Sequence, residues 1–325
     1  MMNTKILTES LVSKIVLQDE SNVKLDMKEI RNKRLQIAKT REAIQRKKLD
    51  ELRERMTKDQ LKMNELSTMK GASSWLSSLP LIKEGFSMNK REFFDAISLR
   101  YRWGIKYLPT NCPCGNNFNI DHALTCPKGG FINQRHDVLR DTLAVIFNEV
   151  CNNVETEPHL EPLTGEILPG NSNESENGRL DIAAGNFWQK GQRAYFDVRI
   201  FNPFAQRYNN QKLESSFTSN EKEKKRSYNH RIINIEHGSF TPLVFTPYGG
   251  SGREAERCIS ELANLIAHKR DLPFSTVISW LRTKISFTLI KSAVLCLRGS
   301  RSLKKVKVEG ADIEIAVANG KIVDI

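Results

Sequence analysis

Four side chains in one short stretch constrain this chain more than any other feature. Cys112 and Cys114 stand one residue apart, His122 follows after seven residues, and Cys126 after three more. Three thiolates and an imidazole form a donor set for a closed, tetrahedral zinc site. The fifteen residues from Cys112 to Cys126 hold no core of their own, so a bound metal would supply their folding energy. Pro113 restricts the turn, and Gly115 lets the chain reverse. Asp121 or the backbone is the expected orienting partner of His122. Four protein ligands leave no open position, so the expected zinc is structural. The competing reading is buried cysteines beside a chance histidine. Cys151, Cys258 and Cys296 fall on apolar helical faces and read as core. Clustered cysteines of this kind point to a metal in a reducing compartment before they point to disulfides.

The rest of the chain divides by composition. Residues 24–70 contain neither Gly nor Pro and are dense in Lys and Arg, including Lys47 and Lys48. A thin apolar stripe runs through Leu35, Ile37, Ile44, Leu49, Leu52 and Met56, which predicts a long solvated helix. Residues 1–70 thus read as a basic helical arm or linker, suited to a nucleic-acid backbone; a charged linker or coiled-coil fragment fits the same pattern. Residues 71–110 read as a helical linker. Asn89 and Glu92 form a capping-box pattern ahead of a helix over 90–101, expected to bury Phe93, Phe94, Ile97 and Tyr101. The four tryptophans, Trp75, Trp103, Trp188 and Trp280, read as core. Residues 111–130 are the knuckle. From 131 to 305 the expected order is helix, three strands (153–157, 179–184, 193–201), helix (221–235), strand (240–246) and two helices. Residues 162–177 read as a loop, and 306–325 as a short β tail. That mixture is α/β. The chain of 325 residues carries 50 Lys and Arg against 38 Asp and Glu, a net charge of +12, which suits a polyanionic partner. The longest apolar run, 285–297, is broken by Lys291 and falls short of the ~20 residues that a bilayer demands, so no membrane partner is expected.

Two aspartates carry the candidate chemistry. Asp181 lies between Leu180 and Ile182. Asp197 lies in an apolar run where Phe196, Val198 and Ile200 share one strand face and Asp197 and Arg199 the other. An acid in such a strand is costly unless it is paired or binds metal. Two of them on adjacent strands would repel, and Mg2+ would relieve the repulsion while keeping waters for hydrolysis. Lys225 and Tyr228 share a face of the following helix, which would aim the Lys225 ammonium at the carboxylates. The plainer reading makes Asp197 and Arg199 an ion pair and Lys225 a solvated residue.

In order and spacing, these motifs, together with Arg135-His136-Asp137, resemble the C-terminal region of non-LTR retrotransposon proteins. There a helical linker and a Cys-Cys-His-Cys knuckle follow the reverse transcriptase and precede a restriction-like endonuclease of the PD-(D/E)XK superfamily. The resemblance covers about residues 73–300. It implies a mixed central sheet flanked by helices, with Asp181 and Asp197 as Mg2+ ligands. Leu180 replaces the usual proline before the first acid, and Arg199 stands where the superfamily usually has lysine. The resemblance supplies that lysine from the next helix as Lys225, backed by Tyr228. It offers Glu149 as a further acid, with Glu157 as its rival. Lys47, Lys48, Arg135, His136 and Arg231 are the expected nucleic-acid contacts, although His136 also suits a role ordering the start of its helix. The implied activity is nicking of target DNA in the nucleus to prime reverse transcription. DNA, element RNA and a reverse transcriptase encoded elsewhere are the implied partners, since no Tyr-x-Asp-Asp or Phe-x-Asp-Asp polymerase motif occurs here. The alternatives are an inert nucleic-acid-binding module left from such an element, and a structural protein that oligomerises through its N-terminal helix.

Overall fold

The computed structural model describes residues 27–160 and 179–301. The expected loop over 162–177 and the β tail over 306–325 lie outside the described residues. The chain divides after Met56 into two units. The described part of the first unit is helix α1 (Met27–Glu54). Leu35, Ile37, Ile44 and Leu52 are exposed on it, as a charged, solvated helix requires. The expected single helix over 24–70 is therefore two. A capping box, in which Thr57 accepts from Gln60 N–H and Gln60 returns the bond, starts α2 (Lys58–Thr68). Met63 and Leu66 on α2 are buried, so residues 58–70 join the second unit rather than the arm.

That second unit is built around a four-stranded sheet. Its strands are β1 (Asn152–Thr156), β2 (Ile182–Gly185), β3 (Arg193–Ile200) and β4 (Ser239–Phe245), in spatial order 1-2-3-4. The first two pairings are antiparallel, and β3 with β4 is parallel. A parallel pair needs a crossover, and α7 (Leu213–Asn234) supplies it. β3 is buried on both faces, which explains its nearly continuous apolar run. On one face Ala194, Phe196 and Val198 meet Leu139, Leu143 and Phe147 of α6 (Phe131–Val150). The same core takes in Ile259, Leu262 and Ile266 of α8 (Arg253–Arg270), and Leu281, Ile285 and Leu289 of α9 (Phe274–Arg298). On the opposite face Tyr195 packs with Tyr228 and Ile232 of α7 and with Phe240. The result is a mixed α/β fold with helices on both sides of the sheet.

A second core docks the segment before the sheet. Helices α3 (Ser74–Ser77), α4 (Lys90–Tyr101) and α5 (Ile120–Ala123) contribute Trp75, Leu99 and Ala123. They pack on Phe287, Ile290, Val294 and Leu297, the other side of α9. α9 thus belongs to both cores, which accounts for a helix that is apolar around most of its girth. The expected capping box at Asn89 and Glu92 is present. Of the residues expected to be buried on this helix, Ile97 packs on the core, but Phe93, Phe94 and Tyr101 are exposed, as is Trp103 just beyond; Ala96 and Leu99 are the ones buried. Helix α7 begins eight residues before its expected start at 221, because its buried stripe uses Ser216 and Asn220 beside Leu213 and Phe217. No helix among the described residues is long and apolar enough to cross a membrane.

Candidate functional site

The knuckle folds as a turn followed by one turn of helix. Gly115, at φ +92°, closes the reversal, with its N–H on Cys112 O and the Cys112 N–H on Asn116 O. Asn119 caps α5 by accepting from His122 N–H at 2.8 Å, which turns the imidazole toward the thiols. The ligand atoms of Cys112, Cys114, His122 and Cys126 all lie within 4.8 Å of one another. Cys112 and Cys126 Sγ are 3.8 Å apart, and Cys114 Sγ is 3.4 Å from His122 Nε2. Tetrahedral zinc with ordinary bond lengths would place such atoms about 3.8 Å and about 3.6 Å apart. The cluster can therefore hold a metal ion, and its donor chemistry is compatible with structural zinc. Hydrogen bonds from the backbone and side chain of Asn116 hold the Cys114 thiol down to about 7, whereas burial pushes Cys112 up.

Asp121 does not orient His122. It takes a bidentate pair from Arg102, at 2.8 and 3.2 Å, and a hydrogen bond from Asn202 at 3.1 Å. Two buried arginines fasten the knuckle to the rest of the fold. Arg135 donates to Leu124 O at 3.2 Å and to Ile200 O at 3.5 Å. Arg301 donates to Ala123 O at 3.1 Å and lies over the rings of Phe118 and Phe131.

The two aspartates meet where β2 parts from β3. Ile182 pairs with Phe196, so the register continued by one residue sets Asp181 opposite Asp197. The Asp181 carboxylate turns into the gap, where its Oδ2 accepts from Val198 N–H at 2.6 Å. His136, in the first turns of α6, donates from Nε2 to the same oxygen at 3.2 Å and to Val198 O at 3.1 Å. Its Nδ1 faces Asp137 at 3.3 Å. Burial would lower the His136 pKa, but hydrogen bonds and charge from Asp137 and Asp181 outweigh it and raise it to about 10. The ring is therefore an imidazolium at neutral pH.

Asp197 is only 5% exposed, and burial raises its pKa to about 6, opposed by Lys224 and reinforced by the charge of Asp181. Lys224 Nζ donates to its Oδ1 at 3.1 Å. The Oδ2 atom, also buried, lies 2.9 Å from the same ammonium, so Lys224 faces both oxygens of this carboxylate. Two carboxylates set side by side, one of them buried, are the kind of donor pair that fits a hard divalent cation held by oxygen.

Other expected site residues are placed differently. Lys225 pairs with Glu254 at the start of α8, not with the aspartates. The cation facing Asp197 is its neighbour Lys224, which the sequence reading missed. The available signal is the buried stripe Phe217, Glu221, Tyr228 and Ile232, which centres on 224. Tyr228 is buried against Phe240, with Lys224 Nζ 5.6 Å from its ring centroid. Arg199 is taken by Glu223 at 3.0 Å. Glu149 pairs with Arg270 at 2.5 Å, thirteen residues along α6 from His136 and so about 20 Å away; it is not a third acid of this site. Its rival Glu157 is nearer, since its N–H bonds Asp181 O, but its carboxylate is held by Arg140 and Arg179. Arg135 and Arg231 are buried, the latter donating to Leu160 O at 3.5 Å, and so do not face a nucleic acid. His136 is engaged with the acids. Lys47 and Lys48 are exposed on α1.

No protein-family model matches the chain, and no curated protein is detectably similar to it.

Proposed function

We propose that the chain is a Mg2+-dependent DNA endonuclease with a restriction-like core and a zinc knuckle. In this reading it nicks target DNA so that a reverse transcriptase on another chain can extend the end, with element RNA as template, in the nucleus. The observation that carries the reading is the acid pair at the β2/β3 gap, its second member buried and faced by a lysine from the crossover helix. A mixed four-stranded sheet with helices on both faces is the frame that a restriction-like core requires. Asp181 and Asp197 would hold the metal. Bound Mg2+ would activate a water and offset the charge of the scissile phosphate. Lys224 takes the part that the sequence reading gave to Lys225: it sets the charge of Asp197 and offers a cation to the developing oxyanion. His136 fixes the Asp181 carboxylate. The +12 net charge supports a polyanionic substrate.

One observation favours a second reading. Each acid already has a cation of its own chain, His136 on Asp181 and Lys224 on Asp197. Ion pairs of this kind also suit an inert nucleic-acid-binding module. Supercoiled plasmid with Mg2+ separates the two. The nuclease reading expects nicking by wild type and loss of it in Asp181→Ala with Asp197→Ala. Equal nicking by both, or none by wild type that still binds DNA, ends it.

A further inference from the structure

The α4 segment shows aromatic rings where the sequence pattern puts core. Phe94 and Tyr101 lie seven residues apart on one helical face and are 51% and 48% exposed. Trp103, just beyond the helix, is 54% exposed and stacks on Tyr101, with ring centroids 4.9 Å apart and planes at 22°. Tyr107 is 88% exposed. Rings so large are seldom left open without a partner.

Their mounting is rigid. Arg102, between Tyr101 and Trp103, takes the left-handed conformation at φ +51°. Its side chain turns inward to the bidentate pair with Asp121, 4.0 Å from the centroid of Phe204. With Arg102 anchored beneath, its two neighbours project outward. Tyr107 also stands at positive φ, +60°, a costly state for a bulky residue. The structure holds it there through Arg298, which donates to Lys106 O at 3.1 Å and Tyr107 O at 3.2 Å. The same guanidinium grips the buried Asp95 at 2.7 Å through two nitrogens. A buried ion pair thus fixes the backbone under an almost fully exposed ring.

The exposed charges of this segment are basic, while Glu84 and Glu92 are half-buried and the exposed Asp59 of α2 is spent on Arg102 at 3.6 Å. Among residues 81–110 every exposed charged side chain is basic: Lys83, Lys90, Arg91 and Lys106. Open ring faces flanked by cations match unpaired bases on a phosphate backbone. A duplex hides its base faces, so the same surface discriminates against it.

We propose that Tyr101, Trp103 and Tyr107 form a stacking platform for single-stranded nucleic acid, whose phosphates lie on Lys90, Arg91 and Lys106. The platform builds on the nucleic-acid reading above but not on cleavage. Its test therefore uses the full chain without Mg2+. The probe is a fluorescein-labelled 20-nucleotide oligo-dT, followed by anisotropy, with the matching dA·dT duplex as comparison. Tyr101→Ala with Trp103→Ala should weaken oligo-dT binding at least about fivefold and leave duplex affinity within about twofold. Tyr101→Phe with Trp103→Phe should keep most of the oligo-dT affinity. Tyr107→Asn removes an exposed ring and keeps a residue that tolerates positive φ, so it tests the platform even if the double variant misfolds; a loss of about threefold is expected. Unchanged oligo-dT affinity in Tyr107→Asn and in a folded double alanine variant overturns the proposal. So does an equal loss for duplex, or a wild type that does not bind oligo-dT. Conversion of a wild-type dimer to monomer by the alanine pair, with oligo-dT affinity intact, would make the surface a protein interface instead. Loss of plasmid nicking alone bears on the acid pair and leaves the platform standing.

Discussion

Burial holds the Asp197 carboxyl near 6, against an ordinary value of 3.8. Because the unfolded chain ionises more readily, ionisation costs the fold. The penalty is absent below about pH 4, grows as pH rises through about 6, and is constant above. Asp197→Asn removes it, so this variant should match or exceed wild-type stability in urea at pH 7 while losing any nicking activity. Lys224→Met does the opposite: it leaves a buried anion without its ammonium and should cost about 1–3 kcal/mol. Lys225→Met breaks only a partly exposed pair with Glu254 and should cost less than about 1 kcal/mol. The order of urea midpoints across these three variants distinguishes 224 from 225. His136 titrates with the same sign, in a higher pH window. Its pKa is raised to about 10 from 6.5, so its stabilisation is complete below about pH 6.5 and is lost as pH rises through 10. Asp197 is flat over that upper window, so the decline between pH 7 and 10 should shrink in His136→Gln, measured by urea midpoints.

The elements show which sequence signals survive tertiary structure. The α4 helix was legible because its cap is local: Asn89 and Glu92 settle it without help from the rest of the chain. The Cys/His cluster was legible for the same reason, since its four donor side chains come from one turn and the short helix after it. The true start of α7 was not legible, since Ser216 and Asn220 pass for loop residues until Tyr208 donates its hydroxyl to Asn220 at 3.0 Å. The adjacency of Asp181 and Asp197 could be read from two short strands. The burial of Arg135 and Arg231 could not, because an arginine reads as surface unless distant carbonyls such as Ile200 O and Leu160 O are known to receive it. Buried arginines also tie the Cys/His loop to distant elements. Arg135 and Arg301 both end on its backbone, at Leu124 O and Ala123 O. Cys126→Ser, or stripping with a chelator, should therefore unsettle α6 and the end of α9 as well as the loop. We expect about one zinc per chain in wild type by elemental analysis, none in Cys126→Ser, and a melting temperature lower by at least about 5 °C. Cys151→Ser should keep its zinc.

At the scale of the whole molecule, charge and fold are segregated. Helix α1 carries ten basic and five acidic side chains, spans about 42 Å, and is exposed along nearly its whole length. The second unit contains both described cores, the knuckle and the acid pair. A helix that buries so little adds little to the stability of anything else, because helical stability in proteins comes from packing an apolar face. Its cations are better suited to a phosphate backbone. Each phosphate that they neutralise on duplex DNA adds about 0.9 to the steepness with which log affinity falls with log salt. Deleting residues 1–56 should therefore leave the melting temperature within about 2 °C of wild type and make that salt dependence shallower, by about 3 or more if α1 lies along the backbone. Anisotropy titrations on one duplex from 50 to 300 mM salt read the slope directly. An unchanged slope would return the arm to the role of a linker or coiled-coil fragment; in the coiled-coil case the deletion instead converts a salt-insensitive dimer to monomer in sedimentation. A shallower slope at unchanged stability would mean that the chain divides its labour, one unit gathering phosphate and the other holding the packed cores.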